Sequence, residues 1–297
     1  MSGLSHGAKV WIALATVYVI WGSTYLAIAI AVEDLPPMLA VSTRFLVAGG
    51  LVAAWLAWRR PASLRVSRRA LLSTAIVGLL LPGANAVLFY AERDVPTGLA
   101  SLIIATVPLW VVLLRLLAGE TIPRVAVIGV LAGFVGVAVL LRPSGGAGVV
   151  GLALCVVSAL MWATGSFLSA RMTMPADPIA ATSYEMLFGG AAMLPIGLLA
   201  VGELDPSGRS LAAWVYLVFF GSIVGYTAYV WLLAHAPLGM VSTYAYVNPV
   251  VAIALGFLFR DEGLSPQILI GAAIVVGSVA IVVRREAPAS PPEEAAR

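Results

Sequence analysis

Two stretches decide the fold, Pro96-Thr97-Gly98-Leu99-Ala100-Ser101-Leu102-Ile103-Ile104-Ala105-Thr106-Val107-Pro108 and Pro237-Leu238-Gly239-Met240-Val241-Ser242-Thr243-Tyr244-Ala245-Tyr246-Val247-Asn248-Pro249. They lie 141 residues apart and align without a gap, Pro96 on Pro237, Gly98 on Gly239, Ser101 on Ser242 and Pro108 on Pro249. The same spacing runs back through Gly49 and Gly190, Leu46 and Leu187, Pro37 and Pro178, to Trp21 and Trp162. It slips by one residue near Glu120, which matches Glu262, with Gly129 on Gly271. The chain is therefore one unit written twice.

Crossing the hydrocarbon of a bilayer takes roughly 20 apolar residues in a helix. Ten such spans can be marked, at 10–31, 37–58, 70–91, 97–117, 124–141, 148–170, 178–201, 211–234, 240–259 and 265–283. Each copy of the unit holds an odd number of them, so the second copy enters the membrane from the opposite side to the first. That is the inverted-repeat layout of secondary transporters, which hold cargo between the halves near the midplane. The expected fold is an all-α polytopic membrane protein of ten transmembrane helices, two inverted five-helix repeats around a central cavity. The repeats are expected at 1–143 and 144–286, and the tail 287–297, rich in Pro, Ala and Glu, reads as disordered.

Composition excludes most other classes. Apolar residues make up 61% of the 297 and charged residues 10%, with a mean hydropathy of +1.03, outside the range of soluble domains. The connecting loops are too short to fold alone. The single cysteine, Cys155, lies within the sixth span and can form no intramolecular disulfide. The first span follows Lys9 and ends in Ala29-Ile30-Ala31, features shared with signal peptides, but its apolar stretch is about twice the usual length and carries Trp21-Gly22-Ser23-Thr24 in its middle. It is read as a retained helix.

Basic residues in the loops set the orientation. With the N-terminus in the cytoplasm, the inner side holds Lys9, Arg59, Arg60, Arg65, Arg68, Arg69, Arg115, Arg124, Arg171, Arg284, Arg285 and Arg297, and the outer side only Arg93, Arg142, Arg209 and Arg260. Both termini are expected in the cytoplasm of a bacterium, the protein being multi-pass in its inner membrane. The net charge of +3 then reflects orientation and contact with anionic lipid, and no nucleic-acid partner is implied.

Two ionisable residues fall well inside the spans, Arg44 in the second and Glu185 in the seventh, at equivalent positions of the repeat. A charge at the bilayer centre costs about 2.5–3.5 kcal/mol on insertion scales, so both should face protein or water. Each is about 10 Å along its helix from the start, which puts them in opposite leaflets. A structural brace between the halves, a substrate or gating contact, and a proton-coupling site all fit. Pro108 and Pro249, in the middle of the fourth and ninth spans, each remove a backbone donor and kink the axis. Matching helix breaks in the two halves point to a transport site, and a kink fixed by packing is the plain alternative.

Polar and aromatic side chains gather at similar depth. The set includes Trp21, Ser23, Thr24 and Tyr25 in the first span, Asn85, Phe89 and Tyr90 in the third, Ser101 in the fourth, and Trp162 and Ser166 in the sixth. Tyr226 and Tyr229 in the eighth span, with Ser242, Tyr246 and Asn248 in the ninth, complete the set. Any one of these could be interhelical glue; together they favour a cavity. The glycines at 129, 133, 136, 271 and 277 let helices approach closely, for packing within the chain or for a homodimer, although a monomer suffices.

An intramembrane enzyme would need a nucleophile with a base, or a metal cluster. The two histidines, His6 and His235, sit at span ends, and no ligand set for a metal or cofactor can be assembled. A channel is compatible with the composition, but paired helix breaks in inverted halves suit alternating access better.

Trp21-Gly22-Ser23-Thr24-Tyr25, Pro36-Pro37, Arg44-Phe45-Leu46, Pro96-Thr97-Gly98, Ala105-Thr106-Val107-Pro108 and Tyr244-Ala245-Tyr246-Val247-Asn248-Pro249 resemble the EamA-type branch of the drug/metabolite transporter superfamily. The resemblance runs from about residue 10 to 283. Within the superfamily the chain is similar to amino-acid and metabolite exporters, the YddG-like aromatic amino-acid exporters among them. It implies ten helices, a central cavity and export of small molecules, with broad drug efflux as the alternative. Phosphorylated cargo fits less well, because the cavity helices lack a cluster of Lys and Arg.

Overall fold

A computed structural model describes residues 5–140, 148–202, 204–236, 241 and 243–286, with the side chains of all but Ala234, Tyr246 and 282–286. The expected repeat boundary at 143, Ser242 and the tail from 287 lie outside the described residues. Every regular element among them is helical: α1 His6–Ala31, α2 Pro37–Arg59, α3 Arg68–Ala91, α4 Thr97–Ile104, α5 Val107–Leu117 and α6 Arg124–Leu140. The second half supplies α7 Val149–Ser169, α8 Pro178–Leu199, α9 Gly208–Tyr216, α10 Gly225–His235, α11 Tyr244–Arg260 and α12 Pro266–Glu286. A π-helical segment, Leu217–Val224, joins α9 to α10 in one continuous rod.

Among the described residues seven helical stretches are long and apolar enough to cross a membrane, with α4–α5 and α9–α10 each counting as one; three shorter apolar helices, α6, α11 and α12, stand where the remaining expected spans fall. Boundaries depart from the hydropathy reading where caps decide them. The first helix begins four residues early because Ser5 accepts a hydrogen bond from the Ala8 N–H, satisfying one of the free donors of its first turn. Ser67 and Asp177 cap α3 and α8 in the same way.

The expected fourth span is two helices. It is interrupted at Ala105–Thr106, and Pro108 stands in the first turn of α5. There its missing N–H removes nothing, so the proline starts a helix rather than kinking one. Pro249 does lie inside its helix, α11.

Inside a bilayer lipid tails are as apolar as leucine, so helices associate through close packing. The repeat-equivalent helices α2 and α8 meet at their equivalent glycines. A Cβ on Gly49 would stand 3.0 Å from the Ser183 carbonyl oxygen and 3.1 Å from Leu187 Cγ; one on Gly190 would stand 2.9 Å from the Ser42 carbonyl oxygen and from Leu46 Cγ. Residues 42 and 183 are themselves repeat mates, as are 46 and 187, so the contact is reciprocal and the two helices run antiparallel. The pair α6 and α12 is also antiparallel: Gln267 Nε2 donates to the Val139 carbonyl at 2.8 Å, while a Cβ on Gly136 would meet Ile274 and Val275 at 2.9 Å. Gly136 and Gly271 are thus used for packing within the chain.

Charged contacts tie the helix ends. At one end Arg260 meets Glu33 at 2.5 Å, Asp34 accepts from Ser210 Oγ at 2.7 Å, and Glu262 accepts from the Thr97 and Gly98 N–H groups at 2.7 and 3.1 Å. At the other, Asp177 joins Ser63 at 2.8 Å and Arg60 at 3.5 Å, and Glu120 bridges Arg115 and Arg171.

Candidate functional site

A cavity opens where α4 gives way to α5. Its wall takes Trp21, Thr24, Tyr25 and Ile28 from α1, Arg44 from α2, Asn85 and Leu88 from α3, Ser158 and Trp162 from α7, Gly221 from the π segment, Tyr226 from α10, and Tyr244, Ala245, Asn248 and Pro249 from α11. Ser101, Ile104, Ala105, Val107 and Pro108 line it from the break between α4 and α5. It encloses about 110 Å³ counted at the centres of water molecules. One water takes roughly 10–15 Å³ on that measure, so the space matches a guest the size of an amino acid.

The aromatic side is built around Trp21. Its ring centroid lies 5.4 Å from Tyr226 and 5.2 Å from Tyr244, both edge-on, and 5.1 Å from Tyr229. The indole N–H donates to the Gly221 carbonyl at 3.3 Å, a carbonyl displaced by the wider π turn. Room for the indole comes from Gly225, where a Cβ would fall on Nε1 and 2.9 Å from Cδ1. Edge-to-face pairs of this kind contribute about 0.5–1.5 kcal/mol beyond area burial, so the cluster holds Trp21 in one orientation.

The polar side chains are mostly satisfied within their own helices. Thr24 and Ser101 donate to carbonyls three residues back, at 2.6 and 2.7 Å, Asn85 Nδ2 to Leu81 at 3.2 Å, and Ser158 across to the Ala84 carbonyl at 2.7 Å. Two groups are not. Asn248, 7% exposed, has a carbonyl oxygen with no donor, and Arg44, 3% exposed, has an unpartnered Nη1.

Of the residues singled out from sequence, Trp21, Thr24, Tyr25, Arg44, Asn85, Ser101, Pro108, Trp162, Tyr226, Asn248 and Pro249 come together on this wall. Tyr229 stands behind it, against Trp21 and Tyr244. Ser23 instead bonds Tyr216 Oη at 2.6 Å, Ser166 bonds its own helix, Phe89 is fully buried beneath Arg44, and Tyr90 and Glu185 are not part of the wall. Tyr246 is described in backbone only, and Ser242 lies outside the described residues. No ion pair joins Arg44 to Glu185; Tyr226 is within electrostatic reach of both. Sequence reasoning did not find Ser158, Gly221 or Ser222: none has a polar or glycine counterpart in the other half, and none breaks a hydropathy pattern.

Just past the end of α3, Glu92 is 4% exposed, and neither of its oxygens meets a donor in hydrogen-bonding geometry. Burial, reinforced by the nearby Glu262 carboxylate, pushes its carboxyl well above the ordinary range, while Arg260 and the Ala29 backbone pull the other way. Asp34 shows the opposite: hydrogen bonds from Ser207 and Ser210 hold its carboxyl below the usual value.

Comparison with known proteins agrees with this architecture. The chain is 35% identical over 277 residues to YedA of Escherichia coli, described as an uncharacterized inner membrane transporter, covering 91% of this chain and 89% of that one. It is 29% identical to PecM of Dickeya dadantii, covering 89% and 88% of the two, and 28% identical to a WAT1-related chloroplast protein of Arabidopsis thaliana, covering 92% of this chain and 69% of the other. A solved crystal structure superposes with a TM-score of 0.66 at 23% identity, covering 94% of this chain and 98% of that one, so the fold is shared. The model of the EamA-like transporter family matches twice, at 9–142 and 149–284, once for each copy of the 141-residue unit, and the chain belongs to that family.

Proposed function

We propose that the protein is a secondary transporter that exports amino acids, aromatic ones among them, and related small metabolites from the cytoplasm by alternating access. In this reading it lies in a bacterial inner membrane as ten helices in two inverted halves, with both termini inside. The reciprocal antiparallel contact of α2 with α8 supports the inversion, since translated copies would bring these helices together parallel. The twofold family match supports the division into halves, and the inner-membrane naming of YedA supports the location.

The observation that carries the cargo assignment is the cavity itself: amino-acid-sized, walled by Trp21, Trp162, Tyr226 and Tyr244, and placed at the α4–α5 break with lining from both halves. Aromatic rings favour aromatic guests by about 0.5–1.5 kcal/mol per contact. A single guanidinium on the wall leaves phosphorylated cargo undercharged.

Overproduction in a bacterium followed by metabolite profiling of the medium tests this, with protection against toxic amino-acid analogues as a second readout. Amino acids should accumulate outside the cell, and Trp21→Ala and Trp162→Ala should abolish protection while expression stays near normal. Export of lipophilic drugs without amino acids would replace this reading by broad drug efflux. Full protection by both variants would remove these residues from the site.

A further inference from the structure

Arg44 is the one charged residue among the described residues that line the cavity, and its surroundings are incomplete. Its Nε donates to Ser222 Oγ on the π segment at 2.9 Å. The guanidinium carbon sits 5.0 Å from the Phe45 ring centroid and 6.0 Å from that of Phe89, so two aromatic rings lie against the group. Gly221 leaves space for the remainder, since a Cβ there would stand 3.2 Å from Nη2. No carboxylate lies within 4.0 Å of any of its nitrogens among the described residues, and the buried Nη1 has no hydrogen-bond partner. A guanidinium carries five N–H donors and does not deprotonate in proteins. A permanently charged donor, held rigidly on the wall of a cavity and lacking a counter-ion, is the arrangement of a receptor for an anion that comes and goes.

The charge limits what that anion is. One guanidinium and no second cation suits a monoanion with two acceptor oxygens, which a carboxylate presents in the matching fork geometry. Asn248, on the same wall as Trp21, Tyr226 and Tyr244, has a lone acceptor in its buried Oδ1. An amide oxygen and aromatic faces together suit an ammonium group.

We propose that Arg44 binds the carboxylate of the cargo and that Asn248, with the neighbouring rings, receives its ammonium group, so that the cavity selects zwitterionic α-amino acids. This rests on the reading that the cavity carries the cargo, and deepens it. Ser222 acts through Arg44, as a positioning residue that fixes the guanidinium plane.

The test uses the full-length protein purified in detergent and ligand-induced thermal shifts. The ligands are L-phenylalanine, L-phenylalaninamide, 3-phenylpropanoate and phenethylamine, with L-leucine, L-leucinamide and 4-methylpentanoate as an aliphatic series. Each acid should bind roughly 10- to 100-fold more tightly than its amide, the range for a hydrogen bond to a charged group. Arg44→Gln should erase that preference, Arg44→Lys should keep part of it, and Ser222→Ala should weaken it without removing it. Asn248→Leu should weaken the amino acids and spare 3-phenylpropanoate. Acid and amide binding equally to the wild-type protein, which needs no variant to fold, would overturn the assignment of Arg44. So would a preference that survives in Arg44→Gln, or a panel in which no carboxylate binds. Binding of 3-phenylpropanoate and 4-methylpentanoate but not the amino acids would leave Arg44 as a carboxylate site, overturn the role of Asn248, and sink amino-acid export. Amino-acid export by metabolite profiling, with acid and amide bound alike, would instead overturn the Arg44 assignment alone.

Discussion

Gly225→Ala probes the orientation of Trp21 without touching Trp21. The new Cβ would overlap Nε1 and stand 2.9 Å from Cδ1, where carbon contacts settle at about 3.5–4.0 Å. The indole must therefore retreat by about 1 Å. Its hydrogen bond to the Gly221 carbonyl, at 3.3 Å already long, does not survive that movement, at a cost of about 0.5–1.5 kcal/mol. Overpacking adds about 1–3 kcal/mol, and the better helix propensity of alanine returns about 1 kcal/mol. The net loss is about 0.5–3.5 kcal/mol, or a fall in Tm of roughly 1–14 °C at about 2–4 °C per kcal/mol. Scanning fluorimetry at one fixed scan rate would read it, since membrane proteins often unfold irreversibly. The decisive comparison is a double-mutant cycle with Trp21→Ala. Once the indole is gone, the nearest remaining neighbour of the Cβ is the Phe220 carbonyl oxygen at 3.2 Å, so most of the penalty should disappear and a coupling of about 1–3 kcal/mol should remain. Additive losses would show that Gly225 does not hold Trp21 in place, and that the aromatic cluster is not the fixed wall described above.

Glu92→Gln should flatten the pH dependence of stability. A carboxyl whose value is raised in the folded protein favours folding fully at pH below the ordinary carboxylate value of 4.5, and that advantage is lost as pH rises through the folded value. Glu262, Arg260, Tyr25 and Cys155 are the ionisable groups that face it, so a wild-type Tm that falls from pH 5 to 8, and a Glu92→Gln Tm that falls less, is the expected pair of curves; parallel curves would refute a neutral Glu92. Glu262→Ala removes the carboxylate that closes the first turn of α4 and should lower stability by about 0.5–2 kcal/mol, with amide exchange at Thr97 and Gly98 rising first. In a Cys155→Ser background, a cysteine at Ser144 should label with an impermeant maleimide in intact cells and one at Thr173 should not; the reverse pattern would invert the orientation.

Much of the site was written in periodic features that survive without neighbours. Trp21 and Trp162, Pro108 and Pro249, and the mates Asn85 and Tyr226 stand at the repeat spacing, and all six line the cavity. Hydropathy located the helices but not their ends, because caps such as Ser5 depend on one hydrogen bond rather than on a pattern. It read 97–117 as one span because the interruption at Ala105–Thr106 leaves the apolar run intact. The partner of Arg44 was beyond reach for a different reason. Symmetry pointed to Glu185, its mate, whereas the side chain found Ser222, 178 residues away, on a π segment whose counterpart in α3 is ordinary helix. Glu92 and Glu262 fall just outside the marked spans, and only the three-dimensional closing of the helix ends buries one and pins the other.

The reciprocal contact of α2 with α8 has an energetic consequence. Gly49 meets Ser183 and Leu187 as Gly190 meets their mates Ser42 and Leu46, so in the proposed alternating-access cycle an exchange of shapes between the halves would return these glycine contacts to themselves, with equal energy before and after. This contact can serve as a pivot, but it cannot decide which way the molecule rests. Any resting bias has to come from positions where the halves differ: Arg44 against Glu185, Ser222 against Leu81, Glu92 against Leu233. Unmatched polar residues of this kind are where a substitution would tilt that equilibrium rather than simply loosen the protein.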